Sequence, residues 1–163
     1  MAIYFFDSSG LVKRYVAEVG TAWVQGLTDP SVNNGIYIGQ ITGVEVIAGI
    51  NKRVSQGSTT RADASKAIGE FRLDYARQYN IIEITDLIIA SAMNLAETYT
   101  LRGYDAVQLA TALTINSELL AANAALGTTA PVGPMLTMIC SDKNLKTAAA
   151  AEGLTVDDAN NHP

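Results

Sequence analysis

The chain has 163 residues, 48% hydrophobic and 17% charged, a size and composition that fit one folded domain and exclude a disordered chain. Its single cysteine, Cys140, excludes an internal disulfide, and with a single histidine, the penultimate His162, the counts argue against a Ser/His/Asp triad, a Cys/His nucleophile pair and a Cys/His zinc site. The net charge of −5 argues against a broad basic face for nucleic acid, and the longest apolar runs, such as 87–92, are far too short to span a bilayer.

The opening IYFF is an apolar strand that ends at Asp7 and a Ser-Ser-Gly turn, after which Leu11, Val12, Tyr15 and Val16 fall at helical spacing. TAWVQGL predicts a short helix with Trp23 and Leu27 on one face, broken by Asp29–Pro30 and by Asn33, Asn34 and Gly35. IYIGQ predicts the second strand. Thr42 and Glu45 have the spacing of a capping box that opens a helix running to about Ser55, with Val46, Ile47 and Ile50 as its stripe. The Ser-Thr-Thr cluster at 58–60 starts a helix through Tyr79, with Ala64, Ala67, Ile68, Phe71 and Tyr75 inward.

NIIEI predicts a third strand, and Thr85 caps a helix from Asp86 to about Tyr99. A long helix follows from Tyr104 toward Leu126, then a GTTAPVGP loop, a fourth strand LTMIC, and a final helix through LKTAAAAEG that Gly153 stops. Strands alternating with helices predict a three-layer α/β/α sandwich on a mostly parallel sheet, with residues 1–157 as one domain and 158–163 as a C-terminal tail. Cys140 reads as a small buried hydrophobe, and His162 sits at a chain end expected to fray. The start MAIYFFDSSG lacks the basic and long apolar parts of a signal peptide, so a cytoplasmic protein is expected.

Four acids stand where a strand meets a helix or a helix begins: Asp7, Glu45, Asp105 and Asp142. Each alone has a structural role open to it. Asp7 can turn the chain, Asp105 and Asp142 can cap helices, and Glu45 can complete the capping box of Thr42. Together they are expected at one edge of the sheet, where four carboxylates repel one another unless a cation is bound. Oxygen-only donors favour Mg2+ or Mn2+, which can acidify a water and hold a phosphate for in-line attack, with one or two ions. Setting the four acids aside brings the charge close to neutral, and basic pairs remain at Lys13 and Arg14, Lys52 and Arg53, and Lys143 and Lys146.

The segments DSSGLVKRY at 7–15, TGVEV at 42–46, RGYDAVQLATAL at 102–113 and SDKNL at 141–145, in this order, resemble the PIN-domain ribonucleases, and more closely the VapC-type toxins of toxin–antitoxin systems. The resemblance spans Ile3 to Val156. It implies that Asp7, Glu45, Asp105 and Asp142 form the acidic metal site, with Ser8, Ser9 and Ser141 hydrogen-bonded around it. It also implies metal-dependent hydrolysis of RNA, a small antitoxin partner that covers the acidic groove, and a homodimer formed through helices such as the one after Tyr104. Asp7, Asp105 and Asp142 are then the direct ligands, while Glu45 either binds metal or orients the attacking water. Lys13, Arg14, Arg102, Lys143 and Lys146, next to the site segments, are the candidates for RNA phosphate contact.

One departure from the smaller toxins is the longer stretch at 116–135. Two rival readings differ in kind. A haloacid-dehalogenase-type phosphatase would use Asp7 as nucleophile, but it needs a second acid two residues on, where Ser9 stands. A receiver-like or degenerate PIN-like module would bind metal or a partner without turnover.

Overall fold

The structure, a computed structural model, describes residues 1–127 and 133–163. Five strands form one wholly parallel sheet: β1 (Ile3–Phe6), β2 (Gly35–Gly39), β3 (Asn80–Ile82), β4 (Thr137–Ile139) and β5 (Thr155–Asp157), in the order β3-β2-β1-β4-β5. The first four lie in the runs expected to be strands. β5 was not expected, because three residues of alternating polarity in TVD carry no run of apolar side chains. It is recognised as a strand by pairing, with Met138 opposite Val156.

Period-two alternation distributes the strand side chains between two cores. Phe5 and Met138 face one side, where Ile88, Leu95, Leu109, Ile115 and Leu145 pack from α5 (Asp86–Thr98), α6 (Gly103–Ala125) and α7 (Lys143–Ala151). Phe6, Ile36, Ile38 and Ile139 face the other, against Leu11, Val24, Val46, Ile50 and Phe71. Those come from α1 (Ser8–Leu11), α2 (Thr21–Leu27), α3 (Thr42–Ser55) and α4 (Arg61–Arg77). This is the α/β/α sandwich that the alternation of elements implies. No described helix is long and apolar enough to cross a membrane.

The helices begin and end for local reasons. Thr60 and Thr85 cap α4 and α5 by accepting from Asp63 N and Ile88 N, and Gly153, at φ +86°, follows α7 in the left-handed region. The Thr42 capping box does not form. Ile41 is the N-cap of α3 without a side-chain bond, and Thr42 is fully buried, bonded to Gln108 of α6 instead. Within the loop expected at 127–134, residues 128–132 lie outside the described ones. Of the longer stretch at 116–135, the part through Ala125 continues α6, and Asn116 Oδ1 accepts from Met135 N at 2.7 Å.

Residues 158–163, expected as a tail, are packed into the fold. Ala159 is fully buried among Phe6, Val24 and their neighbours. Asp158 is held by Lys146, by the Ser141 hydroxyl (2.9 Å) and by Asn160 N (3.0 Å). Burial pushes its carboxyl up, but the hydrogen bonds outweigh burial and hold it below the usual range. His162, expected to fray, stacks on Trp23 with ring centroids 3.9 Å apart and reaches Asp157 at 3.0 Å.

The close approach of this segment to α2 depends on Gly20, whose φ is +87° and where an added Cβ would collide with the Ala159 carbonyl. Gly20→Ala is expected to cost about 2–4 kcal/mol, the sum of left-handed strain and overpacking, measured by urea unfolding. A variant as stable as the parent would mean that the C-terminal residues do not pack against Gly20.

Candidate metal centre

In a parallel sheet, ligands bind beyond the carboxyl ends of the strands where the chain reverses its direction of travel across the sheet. Here that point lies between β1 and β4: the chain builds β2 and β3 on one side of β1, then returns to add β4 and β5 on the other. Asp7 follows β1 directly, and Asp142 follows β4 after Cys140 and Ser141. The two loop ends are tied together by Asp7 N donating to Ile139 O (3.1 Å) and Ser141 N donating to Ser9 Oγ (2.9 Å). Gly10 lets α1 sit against β4, since a Cβ there would come within 2.8 Å of Ile139 O.

Asp7 is 3% exposed, which makes it the most buried of the four acids. It caps α1, taking hydrogen bonds from Ser9 N (3.1 Å) and Ser9 Oγ (2.6 Å), with Ser8 Oγ 3.5 Å away. Burial nevertheless raises its carboxyl above the usual range, against the lowering effect of these donors. Glu45 lies in the first turn of α3 and Asp105 in the first turn of α6. Burial raises both. The charges of Asp7 and Asp105 raise Glu45 further, and those of Asp142 and Asp7 raise Asp105 further. Opposing these effects, Gln108 and the Ser8 hydroxyl lower Glu45, and Arg102 lowers Asp105. Asp142 caps α7 through Oδ1, which accepts from Leu145 N at 2.9 Å, so its structural role and its place beside Asp105 coexist.

The four acids are therefore linked at the same sheet edge, with Asp7 and Asp105 acting on Glu45, and Asp142 and Asp7 acting on Asp105. Among the described residues, no three acid, His or Cys side chains close into a ready-made cage, and carboxylates that repel have reason to stand apart. The donor chemistry fits a hard divalent cation. It consists of carboxylates and hydroxyls, and the neighbouring Cys140 thiol is pushed up by burial and by the charge of Asp7, so it offers no thiolate.

The residues around the acids divide unevenly. Ser9 links Asp7 to the Ser141 backbone, whereas the Ser141 hydroxyl turns away to Asp158. Gln108, which the sequence reading did not single out, is fully buried and donates from Nε2 to Glu45 Oε2 at 2.7 Å. Its only sequence signal is its position three residues after Asp105, on the same helix face.

Of the five cations expected to meet RNA phosphates, three are committed elsewhere. Lys13, turned inward by the 3-10 turn Val12–Arg14, is 4% exposed and bonded to Glu18, Val19 O and Asn160. A buried, fully paired ammonium is structural. Arg14 pairs with Asp74 at 3.1 Å and with Thr28 O and Gln78, and Lys146 pairs with Asp158. Arg102 and Lys143, exposed beside the first turns of α6 and α7, flank the acids.

A pH and metal dependence follows. An acid whose pKa is raised on folding costs stability at neutral pH, and the cost fades as pH falls through the folded pKa toward the unfolded value near 3.9. The charge of Asp105 gains roughly 0.3–1 kcal/mol from the α6 dipole, but burial and facing carboxylates prevail. In metal-free protein at low salt, Asp105→Asn is therefore expected to raise the melting temperature at pH 7, with the gain shrinking toward pH 4. Millimolar Mn2+ should reverse the order by stabilising the parent more. A melting temperature unchanged by the substitution under both conditions would leave Asp105 without charged neighbours.

The PIN domain family model matches residues 4–130, which include Asp7, Glu45 and Asp105 and stop short of Asp142. The chain is 26% identical over 163 residues to Ribonuclease VapC45 of Mycobacterium tuberculosis, covering all of both chains. PAE2754 from Pyrobaculum aerophilum shares the fold with a TM-score of 0.57 at 15% identity, over 98% of this chain and 91% of that one. VapBC2 from Rickettsia felis, solved bound to a promoter DNA fragment, does so with a TM-score of 0.56 at 14% identity, over 96% and 98%. With its acids at the switch point of a five-stranded parallel sheet and the family model matched over most of its length, the chain belongs to the PIN-domain family.

Proposed function

We propose that this protein is a divalent-metal-dependent endoribonuclease and the toxin of a toxin–antitoxin pair. The observation that carries the reading is the gathering of Asp7, Glu45, Asp105 and Asp142 at one sheet edge, where the neighbouring charges raise Glu45 and Asp105, a cost that a bound cation or protonation removes. Membership of the PIN-domain family and the ribonuclease name of a full-length relative supply the substrate class.

Mg2+ or Mn2+, when bound, supplies positive charge to phosphate oxygens and acidifies water. The chain's own residues do the rest. Asp7, Asp105 and Asp142 hold the cation, and Glu45 completes the set as a ligand or by orienting the attacking water. Ser9 keeps the Asp7 carboxylate fixed through a 2.6 Å hydrogen bond. Arg102 and Lys143, exposed at the rim, take the RNA phosphates, which answers the difficulty posed by an acidic chain: two local cations beside a metal suffice to hold one phosphodiester. An antitoxin segment with a basic side chain among the carboxylates would inhibit by displacing the cation. Exposed Leu87, Met93 and Tyr104 offer apolar surface for a homodimer, and the protein works in the cytoplasm with its RNA. The phosphatase alternative lacks its second acid at Ser9, whose hydroxyl is committed to Asp7.

The test is cleavage of end-labelled total RNA with Mn2+ or Mg2+, beside an EDTA control and Asp7→Asn. Cleavage is expected only with metal, to fall at least about a hundredfold in the variant, and to leave 5′-phosphate and 3′-hydroxyl ends because water attacks. Cyclic phosphate ends, or cleavage that survives EDTA, would contradict the proposal.

A further inference from the structure

We propose that Gln108 is the positioning residue of this site: it holds Glu45 by one carboxylate oxygen and so presents only the other to the cation. The inference rests on the reading of the four acids as a metal centre and assigns Glu45 a single-oxygen role within it. Gln108 lies one helical turn beyond Asp105 on α6, fully buried between Val107 and Leu109. Its Nε2 is 2.7 Å from Glu45 Oε2 and 2.8 Å from Thr42 Oγ1, and its Oε1 is 3.2 Å from Thr42 Oγ1. The amide is thereby held between two residues of α3 that stand three positions apart on one face.

The donor must face Glu45. Reversing the amide would set Oε1 against a carboxylate oxygen, with no hydrogen between them. Room for Oε1 comes from Gly39 at the end of β2, where a Cβ would approach it to 3.2 Å. A methionine would fill the same volume in this apolar helix without desolvating an amide, a burial that is unfavourable unless every polar atom is paired. What methionine lacks is a donor for Glu45. Because Asp105 and Gln108 share α6 while Glu45 and Thr42 share α3, the strut also fixes the two helix starts, and their two acids, relative to each other.

Calorimetric titration of the whole chain with Mn2+ tests this, using the parent, Gln108→Met, Glu45→Ala and the double variant. Gln108→Met is expected to weaken Mn2+ binding about tenfold or more, the usual effect of removing a group that orients a ligand. In the Glu45→Ala background the same change should cost nothing further, which a merely structural role would not produce. Unchanged affinity in Gln108→Met, or an equal loss in both backgrounds, would overturn the inference. If circular dichroism shows that Gln108→Met does not fold, Thr42→Val and Thr42→Ser probe the same strut with Gln108 retained: valine should weaken Mn2+ binding and serine should restore it, and equal affinities would overturn the inference. A parent chain that takes up no Mn2+ would overturn the metal reading itself, and is told apart by failing before any variant is compared.

Discussion

The constraint on which the rest of the structure depends is the presence of a carboxylate, Asp7, 3% exposed at the end of a central strand. Burying a charge is costly without partners, and the partners here are short ones. The Ser9 hydroxyl and backbone N–H bind the carboxylate, and the same hydroxyl receives Ser141 N from the turn after β4. One serine thus joins the ends of the two strands that flank the switch point. The acids contributed by α3, α6 and the start of α7 then join a group already destabilised by burial, and the charges of Asp7, Asp105 and Asp142 raise Glu45 and Asp105 further. The proposed metal centre follows from this cost: a cation bound among the acids would offset it, and binding would then be read directly as added stability.

The opposite sign of charge is spent on architecture. Lys13, Arg14, Arg53 and Lys146 pair with Glu18, Asp74 and Asp158, fastening the loop after α1 to α3, α4 and the last residues of the chain. Through Asn160 and Asp158 the C-terminal turn is bonded to Lys13 on one side and to Ser141 and Lys146 on the other. Those contacts brace both loops that carry acids, after β1 and after β4. The C-terminal residues therefore support the site from behind, although none of them reaches the acids.

The strands and helices were legible because apolar runs and helical stripes are set by which faces are buried, and a sandwich buries its central strands on both sides. Phe5 and Phe6, adjacent in the first run, serve separate cores. β5 escaped notice because its three residues depend on pairing rather than on hydrophobicity. The four acids stand out in the sequence because each lies at an element boundary, where sequence punctuation is strongest. What escaped was direction. Lys13 looks in sequence like any exposed basic residue, yet the 3-10 turn points it inward. Thr42 and Glu45 carry the spacing of a capping box, but Gln108, 66 residues from Thr42, competes for the hydroxyl and wins. A contact across that distance leaves no local pattern, and for the same reason nothing in the sequence singled out Gln108.

The central claim is that one cation neutralises acids from four separate chain segments, and the most direct measurement is anomalous diffraction from crystals grown with Mn2+. The account predicts an anomalous peak at the carboxyl edge of the sheet within ligand distance, about 2.0–2.2 Å, of carboxylate oxygens that include Asp7 and Asp105. Well-ordered acids with no peak among them, at Mn2+ concentrations that fill other sites, would contradict it.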